Sequence, residues 1–192
     1  MRKIKMLNRV SIDGYFASLN NANFGMDWFV HDPEVDKAVH ASGGRMDTLL
    51  LGGITYRGFE RSWVPFLNDP NAPAQLKAVA EELTQMKKIV FSENLKEANW
   101  ENTKIMNGDL ENNVRRLKEE EAGTDILIMG SGSIVQQLAK AGLIDEYLFI
   151  MTPVVAGEGK PLFRHVHQFG LSLVEARAFP SGNVVLHYEL KK

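Results

Sequence analysis

Cysteine is absent from this chain of 192 residues. Disulfides, thiolate metal sites, iron–sulfur clusters and cysteine nucleophiles are therefore excluded. Charge of one sign is also lacking: 22 Lys plus Arg stand against 24 Asp plus Glu, a net charge of −2. Such a balance gives no pull toward nucleic acid or an anionic membrane. No apolar run approaches the ~18–20 residues that cross a bilayer. The opening Met1–Met6 meets Asn8 and Arg9 too soon for a signal peptide. A cytoplasmic globular protein is expected. What is present is ordinary, with 44% hydrophobic residues, 16 Gly and 7 Pro. That suffices for one core, so residues 1–192 are read as a single domain.

Two kinds of segment alternate. Short β-rich apolar runs occupy Ile4–Val10, Thr48–Leu51, Lys88–Phe91, Ile126–Met129 and Glu146–Met151. Their near-continuous apolar character fits strands covered on both faces. Amphipathic stretches lie between them. Pro33–Ser42 follows Asp32 as cap and ends on Gly43-Gly44, and Ala72–Met86 places Leu76, Val79, Ala80 and Leu83 on one face. Leu110–Glu121 follows Asp109 and closes at Gly123, and Ser133–Ala141 stops at Gly142. Leu171–Phe179 and Val184–Leu190, joined by Pro180-Ser181-Gly182-Asn183, read as an antiparallel hairpin. The pattern predicts a three-layer α/β fold with a mainly parallel sheet and an antiparallel edge.

Ligands of open α/β sheets bind outside the carboxyl ends of the strands. Leu49-Leu50-Leu51-Gly52-Gly53-Ile54-Thr55-Tyr56 breaks a strand on two glycines and resumes as a helix. Ile126–Met129 runs into Gly130-Ser131-Gly132-Ser133-Ile134, a Gly-rich turn opening a helix, where backbone N–H groups and the dipole favour an anion. Ile89-Val90-Phe91 ends on Ser92. Each glycine turn also reads as a mere tight connection. Neither has Rossmann spacing, Pro161 spoils a P-loop at Gly157–Lys160, and Ser131 lacks the nucleophile-elbow pattern. His165 and His167 have no third ligand nearby, so a metal is not expected. After the first strand, Ser11-Ile12-Asp13-Gly14-Tyr15-Phe16-Ala17 leads into a long loop through Asn20-Asn21-Ala22-Asn23 to Asp27-Trp28. Loops of that length are commonly lids or binding loops. Phe24, Met26, Trp28 and Phe29 imply that its far end packs against something. Trp28 either walls a planar pocket or anchors the loop, while Trp63 and Trp100 are expected at the periphery.

Taken in order, Ser11–Gly14, Leu51–Tyr56, Val90–Ser92, Gly130–Ile134, Pro153–Gly159 and the closing hairpin resemble the dihydrofolate reductase-like superfamily. Within it they resemble the reductase domain of the bifunctional riboflavin-biosynthesis deaminase/reductase, here without a deaminase half. The resemblance covers nearly the whole chain. It implies a central, mostly parallel sheet of about eight strands. It also implies NADPH-dependent reduction of a small planar heterocycle, a pyrimidine or pteridine, and a homodimer. Cofactor contacts carry over to Gly52, Gly53, Thr55, Ser92, Gly130, Ser131, Gly132, Ser133 and Ile134, and the Ser11–Ala17 segment, including Ala17, flanks the nicotinamide. Gly53 and Glu93 stand where relatives often place basic residues. Arg57 or Lys96 would then meet the 2′-phosphate of NADPH, and NADH stays open. Two carboxylates are candidates for the reacting end. Asp36 lies on the first helix, unless it merely pairs with His40 at i,i+4. Asp13 lies at a strand end, unless it only shapes a turn before Gly14. Proton delivery by water is the third route. A protein of this fold that binds a dinucleotide without turnover is the competing reading.

Overall fold

The computed structural model describes residues 1–20 and 24–191. In chain order the elements are β1 (Ile4–Val10), β2 (Tyr15–Ala17), α1 (Pro33–Gly43), β3 (Met46–Gly52), α2 (Gly53–Asn68), α3 (Ala74–Gln85), β4 (Lys87–Phe91), β5 (Thr103–Met106), α4 (Leu110–Glu119), β6 (Asp125–Met129), α5 (Gly132–Lys140), β7 (Glu146–Met151), β8 (Lys160–Pro161), β9 (Leu171–Ala178) and β10 (Val184–Leu190). Eight strands form one sheet in the order β5-β4-β3-β6-β1-β7-β10-β9, and β2 pairs with β8 apart from it. Strands from β5 to β7 run parallel, while β10 is antiparallel to both β7 and β9. The expected mixed sheet with an antiparallel edge is the one found.

Period-two alternation divides each central strand between two covered faces. Ile4, Met6 and Val10 of β1 join Val114 and Leu117 of α4 and Val135 and Leu138 of α5. On the opposite face, Leu49, Leu51 and Val90 pack with Tyr56 of α2 and Leu83 of α3. A third cluster sets Val35, Ala38 and Val39 of α1 over Leu148, Ile150 and Val185. Leu7 touches both of the latter clusters, which puts it at the seam between α1 and α2. Burial of each such side chain stabilises by roughly 1.5–3 kcal/mol.

Asp32 and Asp109 cap as expected, accepting from Glu34 N at 2.9 Å and Asn112 N at 3.0 Å. Trp100 is a correction. Its side chain belongs to the core beneath α3 and is 4% exposed, with Nε1 donating to Thr84 Oγ1 at 2.8 Å. It covers the fully buried Lys88, whose Nζ lies 4.6 Å from the ring centroid. That ammonium donates to the carbonyls of Leu83 (2.8 Å), Thr84 (3.0 Å) and Met86 (2.8 Å), at and just past the end of α3, where helix carbonyls run out of intrahelical donors.

Candidate active site

The carboxyl edge of the sheet gathers the turns after β1, β3, β4 and β6. Two helices begin there side by side. Residue Gly52 opens α2 and Ser131 opens α5. Neither N-cap side chain hydrogen-bonds the first turn of its own helix, and neither first turn holds an acid. In contrast, α1 and α4 have Asp caps and acidic first turns. The two open ends are latched together. Gly52 N donates to Ser131 Oγ at 3.0 Å, Ser131 N donates to Thr55 Oγ1 at 3.1 Å, and Ser131 Oγ donates to Met129 O at 3.1 Å. Asn8 reaches from β1 to donate to Gly130 O at 3.2 Å. Ser131 has φ 54° and ψ 48°, a left-handed conformation that a non-glycine residue adopts at a cost. Ile134 N and Val135 N both donate to Ser131 O. The helix's remaining early donors are therefore Gly132 N and Ser133 N.

The glycines acquire reasons of their own here. A Cβ on Gly132 would lie 2.4 Å from the Phe16 ring, and one on Gly53 would lie 2.5 Å from Ser92 Oγ. A Cβ on Gly130 would meet Thr55 Cγ2 at 3.1 Å. These glycines are thus partly accounted for by close packing within the protein. Substitution at Gly132 strikes Phe16 before it affects any ligand, so it is no clean probe of cofactor binding. Ser92 Oγ accepts from Leu95 N at 3.1 Å. Arg57 is exposed on α2, and Lys96 Nζ donates to Glu93 O at 3.2 Å. Ala17 is 4% exposed, and its carbonyl oxygen lies 2.7 Å from where a Gly159 Cβ would sit.

The two candidate carboxylates have different surroundings. Asp13 accepts from Ala156 N at 3.0 Å and Gly157 N at 2.8 Å, clasping the turn after β1 to the loop after β7. A hydrogen bond from Ser11, followed by these backbone donors, lowers its pKa to about 2. At neutral pH this carboxylate has no proton to give. Asp36 does not pair with His40, which faces Glu82 at 3.9 Å. It accepts from Arg9 Nη2 instead, and its other oxygen lies 3.6 Å from His31 Nδ1. Residues Asn21, Ala22 and Asn23 of the long loop lie outside the described residues. Beyond them Phe24 packs on α2, where a Gly58 Cβ would be 3.2 Å from its ring, whereas Met26 is 45% exposed. Trp28 is half-buried, 4.4 Å from the Phe29 ring centroid, and its Nε1 is buried without a partner.

Sequence reading alone missed Asn8 and Arg9, and held Phe16 only as part of the Ser11–Ala17 segment. The signal for the first two was an Asn-Arg pair at the carboxyl end of a strand whose other residues, Lys5 apart, are apolar. Among the described residues there is no group of three or more His, Cys, Asp or Glu placed to hold a metal. No described helix is long and apolar enough to cross a membrane.

Residues 2–185 match the RibD C-terminal domain family, and the chain belongs to it. It is 31% identical over 188 residues to the uncharacterized protein YyaP of Bacillus subtilis (strain 168), covering 97% of this chain and 94% of that one. Among solved structures, a putative riboflavin biosynthesis protein from Shewanella sp. PV-4 superimposes with a TM-score of 0.71 at 20% identity, covering 99% of both chains. The dihydrofolate reductase of Enterococcus faecalis, complexed with NADP(H), matches with a TM-score of 0.65 at 14% identity over 99% of this chain and 97% of that one. The fold is dihydrofolate reductase-like.

Proposed function

We propose that this protein is a nicotinamide-dependent reductase that transfers a hydride to a small planar heterocycle, a pyrimidine or a pteridine. The supporting observation is the pair of uncapped helix N-termini latched through Ser131 and Thr55 at the carboxyl edge. Two positive dipole ends meeting beside free N–H groups suit the phosphates of a dinucleotide. The residues present therefore fit the group. Gly132 N and Ser133 N hold the pyrophosphate, and Gly52, Gly53, Thr55 and Ser92 line its approach, with Gly130 and Ile134 fixing the turn. The bound dinucleotide supplies the hydride. Asp13, fixed as an anion, holds the Ser11–Ala17 segment against the loop at Ala156 and Gly157, where the reduced ring is flanked. Asp36 presents its carboxylate from α1 as an acceptor that orients the substrate, and Trp28 walls the pocket. The proton comes from solvent.

NADPH is the preferred cofactor in this reading, with exposed Arg57 meeting the 2′-phosphate in place of the basic residues missing at Gly53 and Glu93. Arg57→Ala should cost about tenfold of the preference for NADPH over NADH. Equal affinity of the wild type for both cofactors would refute the choice.

The chain also acts as a homodimer in this proposal. Leu162 is 1% exposed and belongs to the monomer's own core, but Val155 (71%), Phe163 (39%), Leu173 (58%) and Val174 (53%) are exposed. Light scattering should give twice 21.5 kDa, and a 21.5 kDa species at micromolar concentration would reject the dimer. The reductase itself is tested by following the absorbance of NADPH with pyrimidines and pteridines added. Tight dinucleotide binding without oxidation across that panel would favour the reading as a binding protein.

A further inference from the structure

Among the described residues, five buried side-chain atoms have no hydrogen-bond partner: Arg9 Nη1, Trp28 Nε1, Tyr147 Oη, Thr152 Oγ1 and Asn183 Oδ1. Native interiors leave few such atoms, and each calls for a reason. Tyr147 stands apart, in an aromatic group with Phe149, Phe163 and Phe169. The other four lie toward the carboxyl edge of the sheet and the segment that enters α1. Arg9 is in register with Ile150, and Ile150 with Val185. Those two partners belong to the cluster under α1, so Arg9 points to the same face. Thr152 follows β7 and Asn183 precedes β10, each one residue outside its strand and just past the carboxyl edge. Trp28 belongs to the segment entering α1, which Asn183 Nδ2 holds by donating to Val30 O at 3.2 Å.

Arg9 is the informative member. Its side chain is 17% exposed, at the carboxyl end of β1, two residues beyond the seam residue Leu7. One arm of the guanidinium donates to Asp36, and the other arm is buried with no acceptor. A planar fork held on one side by a carboxylate leaves its second nitrogen in a fixed direction. Asp36 already balances the formal charge of Arg9. The group that completes the fork is therefore a neutral oxygen acceptor rather than another anion.

We propose that Arg9 is a specificity-determining residue of the substrate pocket, its free Nη1 donating to an oxo group on the substrate ring while Asp36 positions the guanidinium. The inference rests on the reductase reading for its choice of ligand. It predicts a preference for rings that carry such an oxo group over the analogues that lack it. The pairs to compare are pterin with the aminopteridine lacking its ring oxygen, and diaminouracil with the diaminopyrimidine lacking its ring oxygens. Isothermal titration into the full-length protein, with and without saturating NADP⁺, reads each preference. The wild type should bind the oxo member about tenfold more tightly, the scale of one hydrogen bond from a charged donor. Arg9→Met should bring both ratios to about one. Asp36→Asn provides a second test should Arg9→Met fail to fold. It leaves the guanidinium charge unbalanced, so orotate, a carboxylated uracil, should gain affinity relative to uracil. An oxo preference unchanged in folded Arg9→Met, no oxo preference in the wild type, or no gain of orotate in Asp36→Asn would overturn the assignment. Absence of NADP⁺ and NADPH binding would overturn the reductase reading separately, since the ring comparisons are also made without dinucleotide.

Discussion

Replacing Ser131 by Ala and by Gly separates two roles of this residue. Its Oγ is the acceptor for Gly52 N at 3.0 Å and a donor to Met129 O at 3.1 Å, in a side chain that is 4% exposed. Both substitutions remove that oxygen and leave Gly52 N–H in a protein environment without its acceptor, a loss of about 1–3 kcal/mol. Only Ala keeps the left-handed strain at φ 54°. Glycine relieves it by about 1 kcal/mol, partly offset by the greater freedom of the unfolded chain. Ser131→Ala should therefore destabilise by about 2 kcal/mol and Ser131→Gly by roughly half of that. Urea unfolding at constant slope reads the difference as a shift in midpoint. Both variants should also weaken NADPH binding, because the latch orienting the α2 and α5 termini is lost. Ser131→Gly proving as costly as Ser131→Ala, or Ser131→Ala proving neutral, would refute the reasoning.

Three other outcomes follow from named groups. Gly53→Ala should lower both stability and NADPH affinity, because its Cβ would stand 2.5 Å from Ser92 Oγ; thermal unfolding and a binding titration check it together. The pKa of Asp13 is lowered from 3.8 to about 2, so the folded chain holds this group ionised more readily than the unfolded chain. Its contribution is complete above the unfolded value and disappears as pH falls toward 2, and Asp13→Asn should flatten stability against pH in that window. Burial moves Lys88 the other way, down to about 8 from 10.5. Between those values the unfolded chain binds more protons, so the contribution of Lys88 to stability rises with pH, and Lys88→Met should remove that rise in urea titrations.

Periodicity and turn chemistry made most of the scaffold legible. The runs Ile4–Val10 and Glu146–Met151 are strands over those very residues, since both faces of each are covered and even Lys5 and Asn8 in the first are buried with its apolar side chains. Thr103–Met106 escaped notice because it is a short edge strand with only partial burial. The tiny β2–β8 pair has too few residues for any period to emerge. Helix α2 was foreseen at its start, but Gly58 and Pro65 obscured its length. Gly58 accommodates Phe24, and Pro65 lies in the last turn, near the end of the helix. Helix α4 ends at Glu119, before Gly123, whose backbone instead approaches Asp47 and Arg2. At the site, the glycine turns could be located from the sequence, but their contacts could not. That Phe16 fills the space at Gly132, or that Arg9 takes the carboxylate of Asp36, depends on residues brought together by the sheet.

The proposed dinucleotide site stands or falls on the two open amide donors at the start of α5. An amide-resolved NMR titration of the protein with NADPH tests them. Saturable binding should move the Gly132 and Ser133 N–H resonances among the largest of all shifts, with Thr55 and Gly52 following as the latch responds. Saturable binding that leaves Gly132 and Ser133 unmoved, or no binding of NADPH or NADH at millimolar concentration, would contradict it.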